Sequence, residues 1–570
     1  MSDEKPDLVD VQIDGEWHQF PKGTRMIEAC RQASVEVPHY CYHPKLTSPG
    51  NCRMCLVEMG MPPRPHPGED NPEPDEDGHL PISWMPRPVI ACANTVAPNM
   101  GIRTNSELTK DCREGVMELL LANHPLDCPI CDQAGECTLQ EFSVEHGQGE
   151  SHFREQKVKK PKNVDVGPRI RLDDERCIMC SRCVRFTDEI ADDPVLGFTD
   201  RGSHTVLAVY PGKELANNYS LNTVDICPVG ALTSNDFRFQ MRVWFMKEIN
   251  TIDVNCATGS NITVYQREGQ IYRITPRQNN DVNSDWMPDS HRLNFHWING
   301  EDRLTDPMVK EGNNHRVATW QEALATTADK LTGIQGSEIA VIASARMTNE
   351  ELLMVNRLVR HLDIGHIDTV PRNGENDNYL VAADRNPNTN GVKLVLGLDN
   401  PGSQLDAIKK GIKEGRIKAL LSFQENLVDD AGFDGETLDK LDFFLTAYPL
   451  ANPTADFADV VLPGGCWAEK SGTMINVAGR LQRLNKVVDG PGQTLEPWEI
   501  VRDIIQTTGG GNGIYSALDI FKQLTEEISE FSGLTWGRIG DLGLPLIETG
   551  ITIPLLDREK ERIAQGLIVG

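Results

Sequence analysis

The hydrophobic pattern changes character along the chain. In VDVQIDGEWHQF, apolar and polar positions alternate on either side of Asp14-Gly15, which predicts a β-hairpin. TRMIEACRQASV then carries helical spacing and predicts a short helix, with Thr24 as its N-cap and Cys30 on its buried face. Further on, REGVMELLLANHP places Val116, Leu119 and Leu120 at helical intervals, and Pro125 should end that helix near Asn123. From about residue 245 the pattern becomes α/β. SEIAVIASARMTNEELLMVNRLVRHLD predicts a strand, a Thr348/Glu351 capping box and an amphipathic helix. KLVLGLD, IKALLSF and LDFFLTAYP predict further buried strands alternating with helices, the order of a doubly wound sheet. TGGGNG (508–513) reads as a loop, and no G-x-G-x-x-G dinucleotide fingerprint is present.

A chain of 570 residues is too long for one core, so two to four domains are expected. The net charge of −28 argues against nucleic acid, whose phosphates would be repelled. No apolar run approaches the roughly 18 residues that cross a bilayer. The opening MSDEKPDLVD has neither an apolar signal core nor an Arg-rich transit pattern, so a bacterial-type cytoplasmic location is expected. Residues 61–88 are rich in proline and acid and read as a surface insertion.

Thirteen of the fifteen cysteines lie between Cys30 and Cys227. Nothing directs export, and the cytosol keeps thiols reduced, so disulfides fit badly and metal fits well. The first group, Cys41, Cys52, Cys55 and Cys92, is spaced C-x10-C-x2-C-x36-C. Its tight pair and remote fourth cysteine match a plant-type 2Fe–2S site, although the first gap is longer. A hairpin followed by a helix is also the element order of a β-grasp ferredoxin. The third group, Cys177, Cys180 and Cys183 at C-x2-C-x2-C with Cys227-Pro228 downstream, is a 4Fe–4S pattern. A two-cluster ferredoxin would have a cysteine where Thr187 stands, so one cluster is expected there.

The middle group, HPLDCPICDQAGEC, has only three thiols: Cys128, Cys131 and Cys137. His124 either completes a cluster or merely interacts with the dipole of the helix it follows. Three sulfurs and an imidazole also suit zinc. With iron–sulfur patterns on both sides, the expected occupant is a 4Fe–4S cluster with His124 as fourth ligand. Neutral imidazole in place of thiolate leaves such a cluster less negative, which should raise its potential. Four cysteines remain. Cys30 reads as core, Cys112 precedes the predicted helix, and Cys256 stands alone. Cys466 has no base placed beside it by the sequence.

PHYCYHPKL…GNCRMCLVE, LLLANHPLDCPICDQAGECTLQ, ERCIMCSRCVRFTDEI and DICPVGALTS occur in this order. Together they resemble the family of the large iron–sulfur subunit of NADH–quinone oxidoreductase, respiratory complex I. The resemblance covers nearly all of residues 8–245 and implies one 2Fe–2S cluster and two 4Fe–4S clusters on the ligands named above. The rest of the chain more loosely resembles molybdopterin oxidoreductases, in DRLTDPMVKEG, SARMTNEELLMVNRL and FADVVLPGGCWAEKSGTMINVAGRLQ. The stretch corresponding to the molybdenum ligand in formate dehydrogenases, VPRNGENDNYLVAADRN, has no cysteine, so no molybdopterin is expected. Some family members carry a further four-cysteine cluster near residue 250, which Cys256 alone does not support.

The implied architecture is multidomain, mixing α+β and α/β. A β-grasp 2Fe–2S ferredoxin-like domain (1–104) precedes a 4Fe–4S segment with one His and three Cys ligands (105–150). A 4Fe–4S ferredoxin-like domain (151–244) and a shortened molybdopterin-oxidoreductase-like doubly wound region (245–570) follow. The implied role is an electron relay from the NADH/flavin subunit toward the quinone module, with no catalytic site on this chain. Its partners would be those other subunits of complex I, which would hold it at the inner face of the cell membrane without a span of its own. The alternatives are the cluster-bearing subunit of an NAD-linked formate dehydrogenase or of an NAD-reducing hydrogenase, and a structural zinc protein.

Overall fold

The hairpin forms as the alternation predicts. Strand β1 (Leu8–Ile13) pairs antiparallel with β2 (Glu16–Pro21). Asp14 and Gly15 between them both take positive φ, 48° and 100°, which a tight primed turn requires. In this computed structural model, which describes residues 7–64, 72–511 and 513–569, the helix α1 spans Met26–Gln32. Its N-cap position is held by Arg25, without a side-chain cap. Thr24, expected to cap, instead donates its hydroxyl to the Pro21 carbonyl at 2.7 Å, closing the turn out of β2. Strands β3 (Leu56–Met61), β4 (Ser83–Trp84), β5 (Val89–Ile90) and β6 (Met100–Arg103) complete the sheet, in which β6 lies between β1 and β3. Val11, Ile13, Met26, Cys30 and Ile102 fill the core against α1, so Cys30 is a packing residue. The insertion is only partly at the surface. Residues 65–71 lie outside the described residues, but Ser83–Trp84 returns to pair with β3, and Arg103 stacks over the Trp84 ring at 3.8 Å.

The sheet belongs to the first of two units, which runs to Trp244 and takes in the residues from Glu559 onward. After β6, helix α2 (Glu107–Ala122) starts earlier than its apolar spacing indicated. A Ser106/Thr109 capping box begins it, and Cys112 therefore lies inside it. It ends at Asn123, as the following proline dictates. Helices α3 (Thr138–Glu145) and α4 (Arg182–Glu189) carry the later cysteine loops. The C-terminal segment packs on this unit. Lys45 and Glu559 form an ion pair at 3.2 Å, and the Val569 amide donates to the Pro44 carbonyl at 3.0 Å.

The second unit, Phe245–Arg558, is built on a seven-stranded sheet. Five parallel strands run in the order Val460–Pro463, Phe443–Tyr448, Ala419–Phe423, Ile339–Ala343, His366–Thr369. An antiparallel pair, Met308–Glu311 and Asn314–Val317, extends one edge. The central strands are buried on both faces, which explains their continuous apolar runs. The Thr348/Glu351 capping box opens helix Asn349–His361 as predicted. KLVLGLD is not a strand: Val392–Leu396 forms a π-helical turn. Val392 and Val395 pack into the core, and Asn356 donates to the Val395 carbonyl at 2.6 Å. A short apolar run fits a buried helical turn as well as a strand, and here packing against the helix decides.

Candidate iron–sulfur sites

The first cysteine group closes inside the β-grasp domain. Cys41, Cys52 and Cys55 lie on the loop between α1 and β3, and Cys92 follows β5. Cys52 and Cys92 are each in hydrogen-bonding contact with Cys41, and Cys55 with Cys92, so the four sulfurs form one continuous chain of contacts. The Cys41 sulfur beside it, together with burial, pushes the Cys52 thiol well above its usual range. The Cys92 contact holds Cys55 below that range. Crowded thiols, three of the four buried, cannot all ionise without a cation between them, which is the condition a metal centre meets.

The second group surrounds a cavity of about 80 Å³ lined by His124, Cys128, Cys131 and Cys137, with Asp127 and Arg176 at its side. The last carbonyls of α2, those of Leu121 and Ala122, accept from Lys157 Nζ at 2.8 and 2.9 Å. A cation already satisfies that helix end, and the imidazole faces the cavity. Burial, followed by the Lys157 and Arg176 charges, pulls the His124 pKa down to about 4. It is therefore the neutral ring, the form that ligates metal. Gly230 closes the cavity opposite Cys131, and a Cβ there would sit 2.2 Å from the Cys131 sulfur. Asp127 is held by Lys162 at 2.8 Å and Arg176 at 3.2 Å, so the loop between His124 and Cys128 is pinned from outside.

In the third group Cys177 and Cys180 lie on one tight loop leading into α4, and Cys183 stands in its first turn. Met179 and Ser181 take positive φ, 55° and 61°, on either side of Cys180. That double reversal turns successive sulfurs inward. Burial, then the neighbouring Cys180, Cys177 and Cys227, pushes Cys183 far up, which places all four sulfurs within electrostatic reach of one another. Thr187, where a second cluster would need a cysteine, is buried and donates to the Val184 carbonyl at 2.9 Å.

Three residues that the sequence reading did not single out tie these groups together. Arg182 donates to the carbonyls of Tyr42 (2.6 Å) and Ile226 (3.2 Å), next to Cys41 and Cys227. Arg185, one turn on, donates to the carbonyls of Cys41 and Thr47. Tyr40, buried beside Cys41, donates its hydroxyl to Met117 Sδ at 3.2 Å and meets the Phe142 ring of α3 edge-on at 5.3 Å. Burial, then Cys137 and Cys52, push the Tyr40 phenol up, so this ring stands between the first and second groups. The only sequence signal was the R-C-V-R spacing, which puts two arginines on one face of α4.

The remaining cysteines differ in setting. Cys466 is buried, and burial with the nearby Glu469 pushes its thiol up to about 12, a setting that holds it in the protonated form. Cys256 does not stand alone, since Asp253 and His291 lie beside it.

Family models match along most of the chain. A 2Fe–2S iron–sulfur cluster binding domain covers residues 7–107. The NADH–ubiquinone oxidoreductase-G iron–sulfur binding region covers 113–152, and the ferredoxin-like domain of NADH–quinone oxidoreductase subunit 3 covers 167–233. An NDSU1/NuoG-like 4Fe–4S domain matches 246–296, and molybdopterin oxidoreductase matches 303–378 and 372–507. The mitochondrial NADH–ubiquinone oxidoreductase 78 kDa subunit of Candida albicans is 31% identical over 87% of this chain and 82% of its own length. The G subunit of NADH–quinone oxidoreductase from Rickettsia felis is 33% identical over 84% of this chain and 69% of its own. The chain belongs to the NuoG family of NADH–quinone oxidoreductase subunits. Within that family the 78 kDa subunit of Neurospora crassa is 40% identical over 63% of this chain and 45% of its own length. In the second unit of this NuoG-family chain the doubly wound sheet falls within the molybdopterin oxidoreductase match.

Proposed function

We propose that this chain is an electron-relay subunit of NADH–quinone oxidoreductase. It would pass electrons from the flavin subunit through one 2Fe–2S and two 4Fe–4S clusters toward the quinone module. What supports this reading is that three groups of candidate ligands gather inside one compact unit, with Arg182 and Tyr40 between them. When bound, the clusters supply one-electron chemistry. The chain's residues hold them at Cys41, Cys52, Cys55 and Cys92; at His124, Cys128, Cys131 and Cys137; and at Cys177, Cys180, Cys183 and Cys227. Burial of Tyr40, Cys131, Cys180 and Cys183 keeps water away from the intervening protein.

Exposed Leu119, Leu126, Ile130 and Val144, on the segments around the second group, offer an apolar face to neighbouring subunits. Among the described residues no helix is long and apolar enough to cross a membrane, so in this reading attachment to the membrane runs through those neighbours. The second unit serves as a scaffold without pterin or molybdenum.

Low-temperature EPR of anaerobically purified, dithionite-reduced protein, with iron and molybdenum assayed on the same sample, tests this. One 2Fe–2S and two 4Fe–4S centres, about ten irons per chain, and no molybdenum are expected. Stoichiometric molybdenum, or formate oxidation by this chain, would overturn it.

A further inference from the structure

The second unit holds a ligand cluster that none of the three cysteine groups uses. Asp253, Cys256 and His291 each place a potential ligand atom within 4.8 Å of the others, and all three side chains are buried. The fold brings them together from separate places. Asp253 follows the strand Lys247–Ile252, Cys256 lies in the turn before the strand Asn261–Arg267, and His291 sits in the helical turn Asp289–Arg292. His291 Nδ1 is 2.6 Å from Asp253 Oδ2. The other oxygen, Oδ1, accepts from the Asn255 side chain at 2.6 Å and its backbone amide at 3.1 Å. Asn294 in turn donates to Asn255 Oδ1 at 2.6 Å. Oδ1 is therefore held by a shell of its own, which leaves Oδ2 and the imidazole to exchange their mutual hydrogen bond for an ion.

One thiol, one imidazole and one carboxylate form a borderline-soft donor set. It suits a tetrahedral divalent transition metal and not calcium or magnesium, which prefer oxygen alone. Residues 246–296 match a 4Fe–4S domain, yet Cys256 is the only cysteine among them, too few thiolates for a cube. Three mixed ligands suffice for a single ion with a water in the fourth position. A Cys-His-Asp nucleophile is the competing use of these residues. It is disfavoured because Cys256 is fully buried, with its sulfur 3.5 Å from the Leu380 carbonyl, where no substrate reaches it. Asn255 and Asn294, which orient Asp253, also line a cavity of about 230 Å³.

We propose that Asp253, Cys256 and His291 bind one zinc ion. The test uses the full chain, purified anaerobically with its clusters, and reads zinc by mass spectrometry and its shell by X-ray absorption at the zinc edge. About one zinc per chain is expected, as isolated or after adding zinc chloride, with a single sulfur near 2.3 Å and nitrogen or oxygen near 2.0 Å. Cys256→Ala and His291→Ala should each abolish that zinc while iron content is unchanged. The proposal is overturned if no zinc binds, or if zinc persists in both variants. Where a variant fails to fold, the native zinc shell decides by itself. No sulfur, or several, would mean that the ion sits elsewhere.

Discussion

Arg182 donates from Nη2 to the Tyr42 carbonyl at 2.6 Å, joining the backbone beside Cys41 to the helix that carries Cys183. Its other nitrogen, Nη1, reaches the Ile226 carbonyl next to Cys227. Burial pulls the pKa of this guanidinium down, while the sulfurs of Cys180, Cys227, Cys41 and Cys52 push it up. A single half-buried cation thus lies within electrostatic reach of the first and third groups. Removing it with Arg182→Met should lower both potentials, because the reduced, more negative state loses the cation. At an effective dielectric of about 20 the effect is on the order of 1 kcal/mol, roughly 40 mV for one electron. Potentiometric EPR titration measures this, and two unmoved potentials would rule the electrostatic role out.

The middle group separates two questions, ligand identity and room. His124→Cys should keep the cluster and lower its potential, since a thiolate adds negative charge to it. A potential unchanged by that substitution would mean the imidazole is not on the iron. Cys131→Ala should lose the cluster. Gly230→Ala should lose it too, although it removes no ligand, because its Cβ would take the space of the Cys131 sulfur. Iron content and the EPR signal of the middle centre distinguish these outcomes from general unfolding, provided the other two signals persist.

What the sequence made legible was whatever depends on short spacing. The hairpin at Asp14-Gly15, the end of the helix before Pro125 and the Thr348/Glu351 box are local events, and each forms where its residues dictate. The cysteine groups were also visible, because their members stand a few residues apart on one loop. What stayed hidden depends on long-range packing. Val392–Leu396 is helical because the helix Asn349–His361 lies against it. Thr24 loses its capping role to the turn behind it. The pairing of Asp253 with His291 across 38 positions leaves no local trace, and neither does the reach of Arg182 to Tyr42 across 140.

Glu350 gives the second unit a pH dependence whose sign can be worked out. Its carboxylate is fully buried at the start of helix Asn349–His361, where it accepts from the Thr473 amide at 2.7 Å and hydroxyl at 2.8 Å. Burial outweighs those bonds and raises its pKa from 4.5 to about 7. The native state thus holds a proton that the unfolded chain releases, so this contribution is fully present below pH 4.5 and is lost as pH rises toward 7. A shift of that size corresponds to about 3 kcal/mol as an order of magnitude. Glu350→Gln keeps an acceptor for Thr473 and cannot ionise. Its thermal midpoint should gain on the native protein from pH 4.5 to 7 and run parallel above. Parallel curves throughout would show that Glu350 does not titrate in that window.

The last prediction concerns the C-terminal segment. Lys45 and Glu559 pair at 3.2 Å with side chains only 4% and 6% exposed, and Lys45 lies in the loop between Cys41 and Cys52. The Arg562–Glu189 ion pair joins the segment to the same loop, because Glu189 also accepts from the Thr47 amide at 2.9 Å. Removing one partner of a buried pair leaves the other charge unpaired, at a cost of about 3–5 kcal/mol. Glu559→Ala should therefore release the residues after position 559 and loosen the loop over the first group. Limited proteolysis should cut the variant near its C-terminus under conditions in which the native chain stays intact, and the 2Fe–2S signal should decay faster in air. The double variant Lys45→Met/Glu559→Leu removes both charges together and should recover most of the loss. If it is as fragile as Glu559→Ala, the segment is held by contacts other than this pair.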